Sequence, residues 1–188
     1  MTDQGAEGVF SPFLRQQRIN AAIPFIRGKV LDVGCGTGKL AIHVSPHEYV
    51  GVDIDEHSLA SAKREFPQHK FLCELPALSE KFDTIIVLAV IEHIEDPESF
   101  LRDLSMRLND SKVSRIILTT PNPLFGWIHA KGSNLGIFSK HANEEHKMLL
   151  DRNKIISLSK KCDLFLIKYR YFLFFANQLI VLRKSDHP

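Results

Sequence analysis

At 188 residues the chain fits one domain with a sizeable core and has no room for a separate substrate domain. Hydrophobic residues at 44% and charged residues at 24% are ordinary for a soluble globular protein, no apolar run nears the roughly 18 residues of a membrane span, and no basic-then-apolar leader opens the chain. The net charge of +2 hides an asymmetry, because from Lys147 onward nine Lys or Arg face three Asp or Glu, while the preceding part holds 15 against 19.

Residues 1–10, opening MTDQGAEG, carry too little apolar content to pack and are expected to be disordered. Phe13 to Ile26 places Leu14, Ile19, Ala22, Ile23 and Ile26 at mixed three- and four-residue steps, which predicts an amphipathic helix. Val30 to Leu40, VLDVGCGTGKL, reads as a buried strand, a tight turn on Gly34, Gly36 and Gly38, and the start of a short helix over Lys39 to Val44 that ends near Pro46. Tyr49 to Val52 is a second strand, closed by Asp53, which lies 21 residues after Asp32. Asp55 then caps a helix over Glu56 to Phe66, with Leu59, Ala62 and Phe66 on one face and Pro67 as its stop.

Lys70 to Cys73 is a short third strand, followed by Glu74 and Leu75. Phe82 to Leu88 is a continuous apolar run, as expected of a central parallel strand covered on both faces. Asp96 and Pro97 start the next helix, whose stripe is Phe100, Leu101, Leu104 and Leu108. Arg115 to Thr119 is a fifth strand, closed by Pro121-Asn122-Pro123, which is expected not to continue a ladder. Leu124 to Glu145 is irregular, contains Trp127, and is of a length that is usually functional or disordered in a compact domain. Asp151 caps a helix over Arg152 to Lys161 with Ile155, Leu158 and Cys162 facing in, and Leu164 to Phe172 and Gln178 to Arg183 are two final strands.

Alternating strands and helices predict a doubly wound α/β sheet, in which ligands bind beyond the C-terminal ends of the strands. The glycine turn, Asp53, Glu74, Leu75, Leu88 and the loop of the 120s all fall at that end. Glycines at alternate positions allow positive φ and let a ligand approach the backbone closely. An acid at the end of the second strand can accept hydrogen bonds from both hydroxyls of a ribose. The spacing is G-x-G-x-G, not the G-x-G-x-x-G of a dinucleotide site, which disfavours a nicotinamide dehydrogenase.

VLDVGCGTGKL resembles the first motif of the class I methyltransferases that use S-adenosylmethionine, and GVDID (51–55), KFDTIIVLAVIEHIEDP (81–97) and IILTTPN (116–122) resemble the family's later motifs in the same order. The resemblance covers residues 28–122 well and the C-terminal third in outline, and the motif set is most similar to the branch containing the quinone-biosynthesis O-methyltransferases. It implies an α/β fold with a doubly wound, Rossmann-like seven-stranded sheet, mostly parallel with an antiparallel C-terminal strand pair. Residues 1–188 would form a single methyltransferase domain, with 120–146 as a substrate-side loop and the leading helix over the cofactor cleft; covering one sheet face is the alternative for that helix.

By the same resemblance, the backbone of Gly34, Cys35, Gly36 and Gly38 holds the methionine part of S-adenosylmethionine, and Asp32 helps neutralise its ammonium through water. Asp53 holds the ribose, Ile54 packs on adenine, Glu74 and Leu75 sit beside the adenine, and the Leu88 carbonyl accepts from the ammonium. A strand-end cap is the alternative for Asp32, and an exposed loop glutamate the alternative for Glu74. The sulfonium already activates the methyl group, so a base is needed only where the acceptor must lose a proton. His93 is the first candidate, with His141 and His146 behind the irregular loop. A metal is not expected: Ala89 stands where metal-dependent relatives carry the first acid of E-x-x-E-H.

Phe125, Trp127, Ile128, Leu135, Ile137 and Phe138 would make an apolar lid suited to a small-molecule acceptor, or would bury against the sheet or a second subunit. RNA is the alternative acceptor, supported by the basic C-terminal third, which a solvated face explains equally; a non-catalytic S-adenosylmethionine-binding regulatory domain is the alternative to an enzyme. Three cysteines without metal spacing, Cys35, Cys73 and Cys162, point to a reducing cytoplasm.

Overall fold

The computed structural model describes residues 11–123 and 150–184. Its centre is a seven-stranded sheet in the order β3-β2-β1-β4-β5-β7-β6. The parallel part comprises β1 (Val30–Val33), β2 (Tyr49–Val52), β3 (Lys70–Leu72), β4 (Thr84–Leu88) and β5 (Arg115–Pro121). The antiparallel pair β6 (Leu164–Phe172) and β7 (Asn177–Lys184) closes the sheet, with β7 inserted between β5 and β6.

Every residue of β1 and β2 is buried, because helices cover both faces and leave no solvent side for polar alternation. Side chains still alternate. Val30, Ile86, Ile117 and Val181 face one layer, packed by Ile19 and Ala22 of α1 (Ser11–Ala22) and Leu59 and Ala62 of α2 (Glu56–Glu65). Leu31, Ile85, Ile116 and Leu182 face the other, packed by Leu101 and Leu104 of α3 (Pro97–Arg107) and Ile155 of α4 (Arg152–Lys161). Three helices begin on aspartate caps that satisfy backbone amides otherwise left unpaired: Asp55 accepts from His57 and Ser58, Asp96 from Ser99, and Asp151 from Lys154.

Several expected boundaries move. The leading helix is α-helical only to Ala22 and continues as a 3-10 turn over Ile23–Phe25, because Pro24 has no amide hydrogen and its ring crowds the preceding turn. Lys39 to Val44 forms no α-helix; a 3-10 turn spans Ala41–His43, with Ala41 bonded to Gly38 and His43 to Leu40, a segment too short to nucleate a longer helix. Phe82 stands before β4 and bridges Leu108 instead. The ladder of β5 does continue into Pro121, opposite Asn177: proline lacks a donor, but its carbonyl accepts from the Gln178 side chain at 2.9 Å. The expected disorder of residues 1–10 and the substrate-side loop, apart from its first residues, lie outside the described residues.

Candidate functional site

The parallel strands all end at one edge, where the turn after β1 is tied to β2: the amides of Gly34 and Cys35 both donate to the Val52 carbonyl, at 2.8 and 3.0 Å. All three glycines of the turn have positive φ, +74° at Gly34, +53° at Gly36 and +73° at Gly38. Their reasons differ. A Cβ on Gly34 would lie 2.3 Å from Val90 Cγ2, and one on Gly38 would lie 2.8 Å from the Phe71 ring, so these two allow close packing. A Cβ on Gly36 would meet nothing within 4 Å, so this glycine faces open space that a ligand can enter.

The acid at the end of β2 belongs to the same unit. Asp53 Oδ2 accepts from the Gly36 amide at 2.7 Å and Oδ1 from the Asp55 amide at 2.9 Å, and each oxygen keeps a further lone pair for a hydroxyl donor. Beside it Ile54 is 92% exposed, a large apolar side chain with no packing of its own. Glu74 is exposed beyond β3, whereas Leu75 is half-buried against the core. Leu88 ends β4 half-buried, and Ala89 next to it has φ +58°, a left-handed conformation uncommon for a residue with a Cβ; its amide bonds the Thr119 carbonyl at 2.8 Å.

Asp32 lies on the floor. It is buried on β1, and its Oδ2 accepts from the Tyr49 hydroxyl at 2.7 Å. Burial pushes its carboxyl up to about 7; the Tyr49 bond opposes the shift and the nearby charge of Asp53 adds to it. Burial likewise pushes the Cys35 thiol up, which leaves it an inert wall.

Asp32, Gly34, Cys35, Gly36, Leu88 and Ala89 line a cleft of about 230 Å³, whereas Asp53, Ile54, Glu74 and Leu75 are not in its lining. Three cationic side chains also reach it: Arg15 and Arg18 from α1, and Lys39. Arg18 is held by its Nε donating to Asn177 Oδ1 at 3.1 Å, and burial pulls its guanidinium below the usual arginine range. Helix α1 therefore lies over the cleft and does not merely cover a sheet face. The arginines were the residues that motif reading missed; their separation of three places them on one side of a helix, which is the signal that was present.

The candidate bases are less well gathered. His93 is exposed on the 3-10 turn Ile91–His93 and does not line the cleft. The turn's buried residues are Ile91 and Glu92; Glu92, 1% exposed, has an Oε2 without a hydrogen-bond partner among the described residues, and its carboxyl is raised by burial against the opposing charges of Arg18 and His93. His141 and His146 lie outside the described residues, as do Phe125, Trp127, Ile128, Leu135, Ile137 and Phe138. Among the described residues no three His, Cys, Asp or Glu side chains are grouped to hold a metal, and no helix is long and apolar enough to cross a membrane.

The arrangement suits a zwitterionic amino acid joined to a ribose: an acid floor for an ammonium, a cationic rim for a carboxylate, an open glycine between them and an acid with lone pairs to spare. Residues 31–111 match the family described as "Methyltransferase domain". A probable S-adenosylmethionine-dependent methyltransferase of Mycobacterium tuberculosis is 31% identical over 99 residues, 50% of this chain and 35% of that protein. A ubiquinone biosynthesis O-methyltransferase of Ruegeria pomeroyi is 34% identical over 89 residues, 42% of this chain and 36% of that protein. The chain thus spans about a third of the length of these curated relatives. The crystal structure of magnesium protoporphyrin IX methyltransferase from Synechocystis PCC 6803 with bound SAH shares the fold, with a TM-score of 0.69 at 19% identity over 92% of this chain and 84% of that one.

Proposed function

We propose that this chain, which belongs to the class I S-adenosylmethionine-dependent methyltransferases, moves a methyl group from that cofactor to a small-molecule acceptor, at oxygen, by in-line displacement. The observation that carries the reading is the cleft that joins Asp32, the open Gly36 and the Arg15, Arg18 and Lys39 side chains, with Asp53 bonded to its glycine turn. When bound, S-adenosylmethionine supplies a methyl group already activated on a sulfonium. The protein's part is then to hold and to orient. Asp32 meets the ammonium, Arg15 and Arg18 the carboxylate, Asp53 the ribose hydroxyls, and Ile54, otherwise bare, the adenine face.

Orientation of a bound pair supplies on the order of 7 to 11 kcal/mol of such a barrier. A base that takes the proton of a hydroxyl acceptor adds about a hundred- to ten-thousandfold, and His93 is the candidate for it. Oxygen as the acceptor atom is supported by the likeness to ubiquinone biosynthesis O-methyltransferases. The free cysteines support a cytoplasmic location.

Calorimetric titration with S-adenosylmethionine, S-adenosylhomocysteine and NAD tests the cofactor. Binding of the first two and not of NAD is expected; no binding of either adenosyl compound would overturn the reading. A small-molecule acceptor further predicts methyl transfer insensitive to moderate salt. Activity on RNA that falls steeply with salt would transfer the proposal to RNA.

A further inference from the structure

At the same end of the sheet, the turn between β6 and β7 displays aromatic side chains in an arrangement that packing among the described residues does not explain. Phe174 is 93% exposed, Phe175 62% and Tyr171 38%. Leu173, Phe174 and Phe175 have φ of +51°, +50° and +67°, three successive residues with side chains in a conformation that favours glycine.

The backbone beneath is pinned. The Ala176 amide donates to the Leu173 carbonyl at 2.9 Å, the Asn122 side chain donates to the Phe175 carbonyl at 2.9 Å, and the Asn122 amide donates to the Ala176 carbonyl at 2.9 Å. Bonds from the end of β5 thus draw the turn's carbonyls inward and hold the two phenylalanines out, which is how strained backbone persists where its surroundings over-determine it. Tyr171 extends the patch, its ring 5.5 Å from that of Phe175 and 5.3 Å from that of Tyr169.

Cations flank this tip. Arg170 and Lys168 lie on the strand leading to it, Arg170 also donating to the Ala21 carbonyl of α1 at 3.3 Å, and the Arg152 guanidinium lies 5.6 Å from the Tyr169 ring on the other face. Asp151 is the acid at that end of α4. A rigid pair of bare aromatic rings with basic side chains behind it matches the boundary of an anionic bilayer, where rings enter the acyl edge and cations stay at the headgroups.

We propose that the β6–β7 tip, through Phe174, Phe175 and Tyr171, docks this chain on an anionic lipid surface. The tip stands beside the cleft, because Asn177 at the start of β7 holds Arg18. A bilayer-dissolved acceptor would therefore enter next to the cofactor; that consequence rests on the proposed function, whereas the docking does not.

The test is co-sedimentation of the full chain with vesicles of phosphatidylcholine alone and of phosphatidylcholine with an equal part of phosphatidylglycerol. Binding to the anionic vesicles is expected, weakened by salt and reduced about tenfold or more in F174S/F175S. Retained S-adenosylhomocysteine affinity in that variant separates lost docking from lost fold or lost cofactor function. In F174W, added tryptophan emission quenched by brominated lipid, beyond that of the parent chain, would place the ring within the bilayer. No sedimentation with anionic vesicles overturns the proposal, as does binding unchanged by F174S/F175S or equal on neutral vesicles. A variant that loses activity on a dissolved acceptor while sedimenting normally also overturns it, and assigns the rings to acceptor contact.

Discussion

The Gly36 amide donates to Asp53 Oδ2 at 2.7 Å, so the open glycine of the β1 turn and the acid that ends β2 act as one hydrogen-bonded unit. Replacing Asp53 by alanine removes the acceptor for both the Gly36 and Asp55 amides and, on the proposed reading, the acceptor for the ribose hydroxyls. Cofactor affinity is expected to fall by about 1 to 3 kcal/mol, with a lower Tm; Asp53→Asn should fall between. Calorimetry alongside thermal unfolding measures both, and an unchanged Kd in D53A would remove the ribose assignment.

The glycines should separate into two kinds. In Gly36→Ala the new methyl meets no protein atom, so folding loses only the left-handed backbone cost of about 1 to 2 kcal/mol, while S-adenosylhomocysteine binding falls because the methyl fills the ligand's space. In Gly38→Ala the methyl lies 2.8 Å from the Phe71 ring and 3.1 Å from Ala62 Cβ, and overpacking adds about 1 to 3 kcal/mol. Urea unfolding should therefore find G38A less stable than G36A. The reverse order would mean that Gly36 is not the open position.

Asp32 predicts a pH effect of definite sign. Its folded pKa, about 7, lies above its ordinary value of 3.8, so the folded state holds a proton that the unfolded state has lost across that window. The contribution of Asp32 to stability is thus fully present below the unfolded value and is lost as pH rises through about 7. Asp32→Asn should remove this loss, making the variant's unfolding free energy flatter with pH between 3.8 and about 7. Ammonium binding needs the ionised form, so wild-type cofactor affinity should weaken as pH falls below about 7, by up to about tenfold per unit, and D32N should lack that dependence. Equal pH slopes for the two proteins would detach Asp32 from the ammonium.

Arg18 is expected to carry part of the carboxylate binding. Arg18→Gln should raise the Kd for S-adenosylhomocysteine by about 1.5 to 3 kcal/mol and leave 5′-methylthioadenosine, which has no carboxylate, nearly unaffected. Equal losses for the two ligands would mean that the substitution disturbs α1 and does not remove a specific contact.

His93→Ala separates base catalysis from orientation. A base role requires kcat to fall about a hundred- to ten-thousandfold with cofactor affinity unchanged, and a base at this exposed turn must come within hydrogen-bond reach of the acceptor in the complex. Turnover equal to wild type would leave catalysis to orientation alone.

Much of this architecture was legible before any coordinates because its signals are local. Asp55, Asp96 and Asp151 announced their helices through cap chemistry that involves only the next few amides. Strands β1, β2 and β4 stood out as short apolar runs bounded by turn residues. The misplaced boundaries arose where a local rule met a neighbour: Pro121 stays in the ladder because Gln178, on another strand, uses its carbonyl.

By itself the sequence determined the order of strands and helices, the glycine turn and the acids Asp32 and Asp53, since backbone preference, capping and burial periodicity act over a few residues. The tertiary structure alone decided which glycine faces open space, that Tyr49 bonds Asp32, that Arg18 enters the cleft through Asn177, and that Asn122 turns Phe174 and Phe175 outward. Each of those is a meeting of segments far apart in the chain, and whether two such groups touch depends on how the sheet brings its strand ends together, which no spacing in the sequence encodes.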